Sequence, residues 1–189
     1  IKFLKYFIIT KECIKDSQRY VPENLELIIK KGLECVKYFT TPENGLALFN
    51  GAAETSLDKF YDYINHLNIK IKNIKVSVGG IHQIKCKNQK LFIDMGNPPE
   101  KKYSKDYQSG PLSFEYFFDN EKIITNCGFG SGISHKAKIL SKLTSAQSTL
   151  CINDTSVVKF ERSKFLIKAF GSSCKESFKI SEPKKISDK

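Results

Sequence analysis

The sequence has no tryptophan, one methionine and only two arginines, Arg19 and Arg162, among its 31 basic residues. The shortage of arginine excludes most. Sites that read phosphates or base edges lean on the planar guanidinium fork, so a formal net charge of +11 does not here imply a nucleic-acid partner. The lysines are spread along the whole chain among Ile and Asn, as a solvated surface carries them. Histidine is also scarce, at His66, His82 and His135. The six cysteines (13, 35, 86, 127, 151 and 174) form no C-x-x-C pair, which excludes a zinc knuckle and a thioredoxin motif. Most lie on apolar-patterned segments and read as buried free thiols, with a disulfide left open. No stretch approaches the roughly 20 uninterrupted apolar residues of a membrane span. The apolar-rich start, Ile1–Ile9, is interrupted by Lys2 and Lys5 and lacks a small-residue cleavage site, unlike a signal peptide.

What is present is globular composition, 12% aromatic and 40% in the hydrophobic set, enough to bury a core. The chain opens on Ile1 rather than Met and stops in a polar tail, Pro183–Lys189, so it reads as part of a longer protein. Its hydrophobic period changes once. A first helix is expected from Ile1 to about Arg19. After Pro22, the residues Leu25, Ile28, Ile29, Leu33, Val36 and Phe39 recur at helical spacing. Pro42 and Gly45 break that helix, and another follows from about Ser56, with Leu57, Phe60, Tyr61, Ile64 and Leu67 on one face. Beyond His66 the period becomes two. Strands are expected at 74–78, 81–86, 90–95, 112–118, 122–125, 149–152, 156–161, 165–170 and 177–180. Turn residues separate them, including Lys87–Asn88, Asp119–Asn120, Asn153–Asp154 and Gly171–Ser172. Hairpin-length links without helices between them imply an antiparallel sheet. The reading is therefore α+β: the end of a helical domain over 1–70 and an antiparallel β domain over 71–189. Two long loops, 96–110 and 128–148, are the natural places for function.

Five segments are more specific than their composition: Gly80-Ile-His-Gln-Ile84, Leu91-Phe-Ile-Asp-Met-Gly-Asn-Pro-Pro99, Ser109-Gly-Pro-Leu-Ser-Phe-Glu115, Ile124-Thr-Asn-Cys-Gly128 and Thr144-Ser-Ala-Gln-Ser-Thr-Leu150. In order and spacing they resemble the C-terminal domain of heparinase II/III-like proteins, bacterial polysaccharide lyases and their relatives. Upstream, Glu43-Asn-Gly-Leu-Ala-Leu-Phe-Asn-Gly51 is similar to the segment closing that family's helical domain. The resemblance implies an α/α toroid followed by a layered, sandwich-like antiparallel β domain, with the active site in the cleft between them. It implies β-elimination on an acidic polysaccharide, which requires a base, an acid for the leaving oxygen, and stabilisation of the charge on the uronate carboxylate. It also implies a periplasmic or cell-envelope location.

The family's His-x-His pair falls on Asp106, Tyr107 and Gln108, its following Asp on Asn126, and its later His on Gln147. One of the paired histidines is catalytic, while the other three residues resemble a zinc site. Neutral amides are poor zinc ligands, so no cofactor is expected and an amide cluster would occupy the place of the metal. Gln108, Asn126 and Gln147, with Tyr103, are then candidates for contact with substrate. His82 and Tyr107 are the candidate catalytic side chains. Each has a plainer reading. A lone strand histidine is more often an ordinary surface residue, the preferred reading for His82. Tyr103 and Tyr107 could stack on sugars or simply anchor their loop.

Among the remaining candidates, His66 reads as a helix C-terminal cap and His135 receives no role. Glu115 is placed on a sheet face opposite Leu112, Phe114 and Tyr116 rather than as a buried acid. The Gly-rich run Cys127–Gly132 reads as a turn after a strand, because it lacks the Lys-Ser/Thr ending of a phosphate loop. Lys101, Lys102, Lys105, Lys136 and Lys138 either attract an acidic glycan or are ordinary solvated charges. The expected function is that of a polysaccharide lyase without its usual zinc. The alternative is a non-catalytic carbohydrate-binding or scaffold relative. Whether catalysis is retained and whether the chain forms a homo-oligomer are left open.

Overall fold

Apolar residues at three- and four-residue spacing build the helices of the first compact unit, Ile1–Ala47 with Thr55–Val78. The computed structural model describes residues 1–73, 77–161, 163, 165–167, 172–176 and 178–180. Helix α1 spans Lys2–Asp16, α2 Glu23–Phe39 and α3 Asp58–His66. Pro22 precedes the first turn of α2, which carries Glu23 and Glu26, so the acidic residues complement the positive end of the helix dipole. Leu4 and Ile8 of α1, Ile29 and Leu33 of α2, and Phe60 and Ile64 of α3 form one buried cluster. A Cβ on Gly32 would lie 2.9 Å from a Leu4 methyl, so α1 packs closely at that glycine. The face expected for α2 is corrected at one position. Ile28 is exposed, and Tyr38 is buried near the helix end instead.

Between α2 and α3 the chain turns tightly. Thr41 and Asn44 close the bend through Thr41 N–H to Gly45 O (2.9 Å) and Asn44 N–H to Thr41 O (3.2 Å). Asn44 takes a positive φ of 55° and holds Asp58 through its side-chain amide at 3.1 Å. His66 occupies the last turn of α3.

The second unit comprises Leu48–Glu54 and Gly79–Lys189. Its centre is a four-stranded antiparallel meander, β1 Ile81–Cys86, β2 Gln89–Asp94, β3 Phe114–Phe118 and β4 Glu121–Ile124, in sequence order. The tight links carry the backbone their residues predict. Lys87, Asp119 and Asn120 all have positive φ, and the Asn88 amide reaches across to Asp119. A separate two-stranded ladder pairs β5, Lys159–Phe160, with β6, Cys174–Glu176. Helix α4, His135–Leu140, and three short 3₁₀ turns occupy the long loops.

On one face of the meander stand Phe92 and Phe117, both fully buried and in edge-to-face contact at 6.2 Å. Lys90, Asp94 and Glu115 share that face and are buried too. The opposite face carries Ile84, Leu91 and Tyr116, with Ile84 57% exposed. The sheet thus reverses the usual assignment, with charges on its covered face and aliphatic groups on its open one. Glu115 does lie opposite Phe114 and Tyr116, but it is a fully buried acid. Alternation located the face and misjudged which face was covered.

Several expected strands are absent or shorter. Residues 149–152 contribute only an isolated bridge, Ile152 to Thr155, around a turn in which Asn153 and Asp154 both have positive φ. The expected strand 156–161 shrinks to β5. Residues 165–167 are helical, with Ile167 N–H bonded to Ser163 O, and 168–170 lie outside the described residues. Residues 74–76 and 177 are also outside them, while 178–180 are not strand. The cysteine reading needs correction as well: all six are free thiols, but only Cys174 is buried.

Two motif glycines meet at the sheet's start. Gly80, at φ +81°, faces Gly96 so closely that a Cβ would sit 2.3 Å from the Gly96 Cα. The approach lets Met95 N–H bond Gly80 O at 2.9 Å, extending the β1–β2 ladder. Gly80→Ala should cost about 2–4 kcal/mol by denaturant unfolding, from left-handed strain plus backbone overlap. Gly79→Ala, with positive φ but open space, should cost about 1 kcal/mol. Equal costs would refute the close-approach explanation.

Candidate functional site

Side chains of the second unit converge on a short segment, Leu48–Glu54. The Glu115 carboxylate accepts from Leu48 N–H (3.0 Å), from the Thr125 hydroxyl (2.6 Å) and from Asn126 N–H (3.2 Å). Asp94 accepts from the Asn50 amide (3.3 Å) and Gly96 N–H (3.0 Å). Burial raises both carboxyl pKa values, against the lowering effect of these donors. Gln108 accepts from Gly51 N–H at 3.0 Å, and Phe129 N–H donates to Ala52 O at 2.8 Å.

The three amide positions are only partly brought together. Gln108 Nε2 donates to Ser141 O (2.8 Å) and Gly128 O (3.1 Å), and Gln147 Nε2 donates to the same Ser141 carbonyl (2.7 Å). The Cys127 thiol lies beside them, 3.7 Å from Gln147 Nε2. Asn126 bonds to neither glutamine. Its Oδ1 accepts from Ser148 N–H (3.0 Å) and hydroxyl (2.9 Å), while its buried Nδ2 has no partner among the described residues. These groups do not suit a zinc ion. Both glutamines donate to backbone carbonyls, and the Gln108 and Asn126 side-chain oxygens accept from N–H groups. Among the described residues no group of three His, Cys, Asp or Glu side chains could share a metal.

A cleft of about 280 Å³ opens within the same unit, lined by Asn50, Asp94, Asn97, Tyr103, Asp106 and Tyr107. It unites the two tyrosine candidates. Tyr107 is 4% exposed, its ring packed with Val158 and Cys174, whereas Tyr103 is 70% exposed with the Lys102 ammonium 4.8 Å from its ring centre. Burial, with Asp94 nearby, holds the Tyr107 hydroxyl in its protonated form well above the usual tyrosine range. His82 is elsewhere. It is exposed in β1 opposite Ile93, on the sheet face that Asp94 does not share. His135 begins α4. A larger, shallower groove on the open sheet face, lined by Leu112, Phe114, Ile124 and Leu150, is mostly apolar.

Asn50, Asp94 and Lys142 were not singled out in the sequence. Lys90, Phe92 and Asp94 alternate on one strand face, and two charges flanking a core Phe were the available signal for Asp94. Nothing local marks Lys142. It is 2% exposed, donates to Lys105 O at 2.8 Å and to Ser172 O, and lies 4.2 Å from the Phe160 ring centre. It thereby joins the loop carrying Tyr107 to the segment entering β6.

The family model "Heparinase II/III-like, C-terminal" matches residues 73–181. No curated protein sequence matches the chain. Among solved structures, heparan sulfate lyase HepC from Pedobacter heparinus aligns with a TM-score of 0.63 at 14% identity. That alignment covers 86% of this chain and 31% of HepC. A structure of heparinase III aligns with a TM-score of 0.56 at 14% identity, covering 85% and 34%. The heparinase III BT4657 gene product gives 0.55 at 12%, covering 72% and 25%. The chain thus spans about a third of the length of the structures it matches, and at these identities they speak for the fold alone.

Two measurements test the buried charges. Glu115→Ala leaves two backbone N–H groups without their acceptor and should cost at least about 2 kcal/mol. It should also speed amide exchange over residues 48–54, and unchanged exchange there would refute the anchoring role. Burial lowers the Lys142 pKa from 10.5 to about 8. Between those values the folded state has lost a proton that the unfolded chain keeps, so this group's contribution to stability rises with pH. Relative to Lys142→Met, the native protein should gain up to about 1.4 kcal/mol per pH unit from pH 8 to 10 in urea unfolding. A pH-independent difference would refute the shifted pKa.

With the family model matched over more than half of the chain, and with the α+β fold of the heparinase structures, the chain belongs to the heparinase II/III-like family.

Proposed function

We propose that the protein is a polysaccharide lyase of this family that acts on an acidic glycan by β-elimination, with its zinc positions replaced by an amide cluster. The observation that carries this reading is the pairing of adjacent residues. Gln108 is locked into the amide cluster, while Asp106 and Tyr107, next to it in sequence, line an open cleft. The hydrogen bonds of Gln108 and Gln147 to the Ser141 carbonyl do the positional work a metal would otherwise do. They hold the Tyr107 loop against residues 128–147 without needing an ion.

The roles follow from protonation. Tyr107 lines the cleft with a protonated hydroxyl, so it carries a proton that the leaving glycosidic oxygen can accept. Asp106 is exposed at the cleft and occupies the position of one family histidine, where its carboxylate can accept from substrate hydroxyls. Tyr103 supplies a ring for contact with a sugar. His82, on the other sheet face, takes no part in this cleft.

A second reading, a carbohydrate-binding relative without catalysis, is favoured by one observation. Among the described residues no cationic side chain lines the cleft to stabilise the charge that builds on a uronate carboxylate. The discriminating assay incubates full-length protein with heparan sulfate and other uronate polysaccharides and follows the absorbance of unsaturated product. The lyase reading expects product, with or without a zinc chelator, and a rate about 100-fold lower in Tyr107→Phe. Glycan binding without product selects the second reading. Loss of activity on chelation would overturn the replacement of zinc.

A further inference from the structure

The cleft beside Asp106 has the wrong charge for the acidic unit of a glycan. Its lining includes two carboxylates, Asp94 and Asp106, and no lysine, arginine or histidine among the described residues. Neighbouring ammonium groups make their direct contacts outside the lining, although Lys142 acts on Asp106 electrostatically. Lys102 pairs with Glu100 at 3.1 Å, and Lys142 donates to the Lys105 and Ser172 carbonyls. Lys101 and Lys105 are exposed on the same loop and are not part of the lining.

The cleft is nonetheless built to hold something polar. The Tyr107 side chain is 4% exposed as a whole, and its hydroxyl is open to the cleft, with no hydrogen bond to the described residues. Asp94, 5% exposed, uses one lone pair on each oxygen for Gly96 N–H and the Asn50 amide, so further acceptor capacity remains. The Asp106 carboxylate makes no hydrogen bond among the described residues and feels the Lys142 ammonium electrostatically, and Tyr103 adds an exposed aromatic ring.

We propose that this cleft is a subsite for one uncharged pyranose ring, held through its hydroxyl groups. Sugar hydroxyls donate to Asp94 and Asp106 and bond the Tyr107 hydroxyl, and the apolar face of the ring lies against Tyr103. A cleft of about 280 Å³ is at the small end of ligand sites and suits a single ring. A uronate there would bring a third carboxylate to the existing two, with no basic side chain among the described residues in the lining to receive it. The inference rests on the polysaccharide reading and specifies which unit of the glycan this cleft takes: a neutral residue, with the reacting uronate beside it.

The test is an NMR titration of the full-length protein with tyrosine rings labelled. The probes are cellobiose, N,N′-diacetylchitobiose and mannobiose as neutral disaccharides, and digalacturonate as the acidic one. At least one neutral probe should shift the Tyr103 and Tyr107 signals, binding about tenfold or more tighter than digalacturonate. Tyr107→Phe keeps the ring in its contact with Val158 and Cys174, removes only the hydroxyl, and should weaken the neutral probe about fivefold or more. Asp106→Asn should reduce the discrimination by strengthening digalacturonate. Digalacturonate binding as well as or better than every neutral probe, or no probe shifting either tyrosine, overturns the proposal. Neutral binding without unsaturated product leaves the subsite and removes the lyase reading. Product without neutral binding does the reverse.

Discussion

The second unit depends on a few buried acceptors that hold the segment Leu48–Glu54 against its sheet. Glu115, Asp94 and Gln108 each receive a donor from that segment, and each also binds a second element of the unit. A segment of seven residues has too little apolar surface to offset its ordering entropy by burial alone. Hydrogen bonds to charged or fully buried partners supply direction and energy together. The cleft inherits its shape from this arrangement, since Asn50 on the segment and Asp94 beneath it are bonded to each other and both line it.

The same economy joins the long loops. Their common point is the Ser141 carbonyl, with Gln108 and Gln147 as donors. Lys142, the next residue, reaches the other way to Lys105 and Ser172, so one short stretch after α4 joins the cleft loop, the Gly128 turn and the entrance to β6. Burial of an ammonium is costly and is offset here by carbonyl acceptors and the Phe160 ring. The unpartnered Asn126 Nδ2 is the weak point of the cluster.

Legibility in the sequence followed the range of the interaction. The helices were readable because Leu4, Ile8, Ile29, Leu33, Phe60 and Ile64 repeat at the helical period. The hairpins were readable because Lys87 and Asp119–Asn120 accept positive φ, which sets β1 against β2 and β3 against β4. The glycines of two motifs, Gly80 and Gly96, acquire a reason only when paired: their backbones touch. The expected strand at 165–170 failed where an apolar run too short to show its period turned out helical at 165–167. At 149–152 the Thr149 hydroxyl bonds the distant Pro111 carbonyl, and the segment makes only the isolated bridge of Ile152 with Thr155.

By itself the sequence determined the α+β order, the antiparallel hairpins and the family, because local periodicity, turn chemistry and motif spacing act over a few residues and survive in one dimension. It also placed Tyr103, Tyr107, Gln108 and Gln147 among the residues to examine. Only the tertiary structure decided that Tyr107 and Asp106 share a cleft with Asn50 and Asp94, that His82 stands on the other sheet face, and that Glu115 is buried. Those outcomes turn on which face of the sheet is covered and on contacts between residues 40 to 70 apart, such as Asn50 with Asp94 and Leu48 with Glu115. Alternation along a strand separates two faces; which of them loses its water is settled by the segment that packs there.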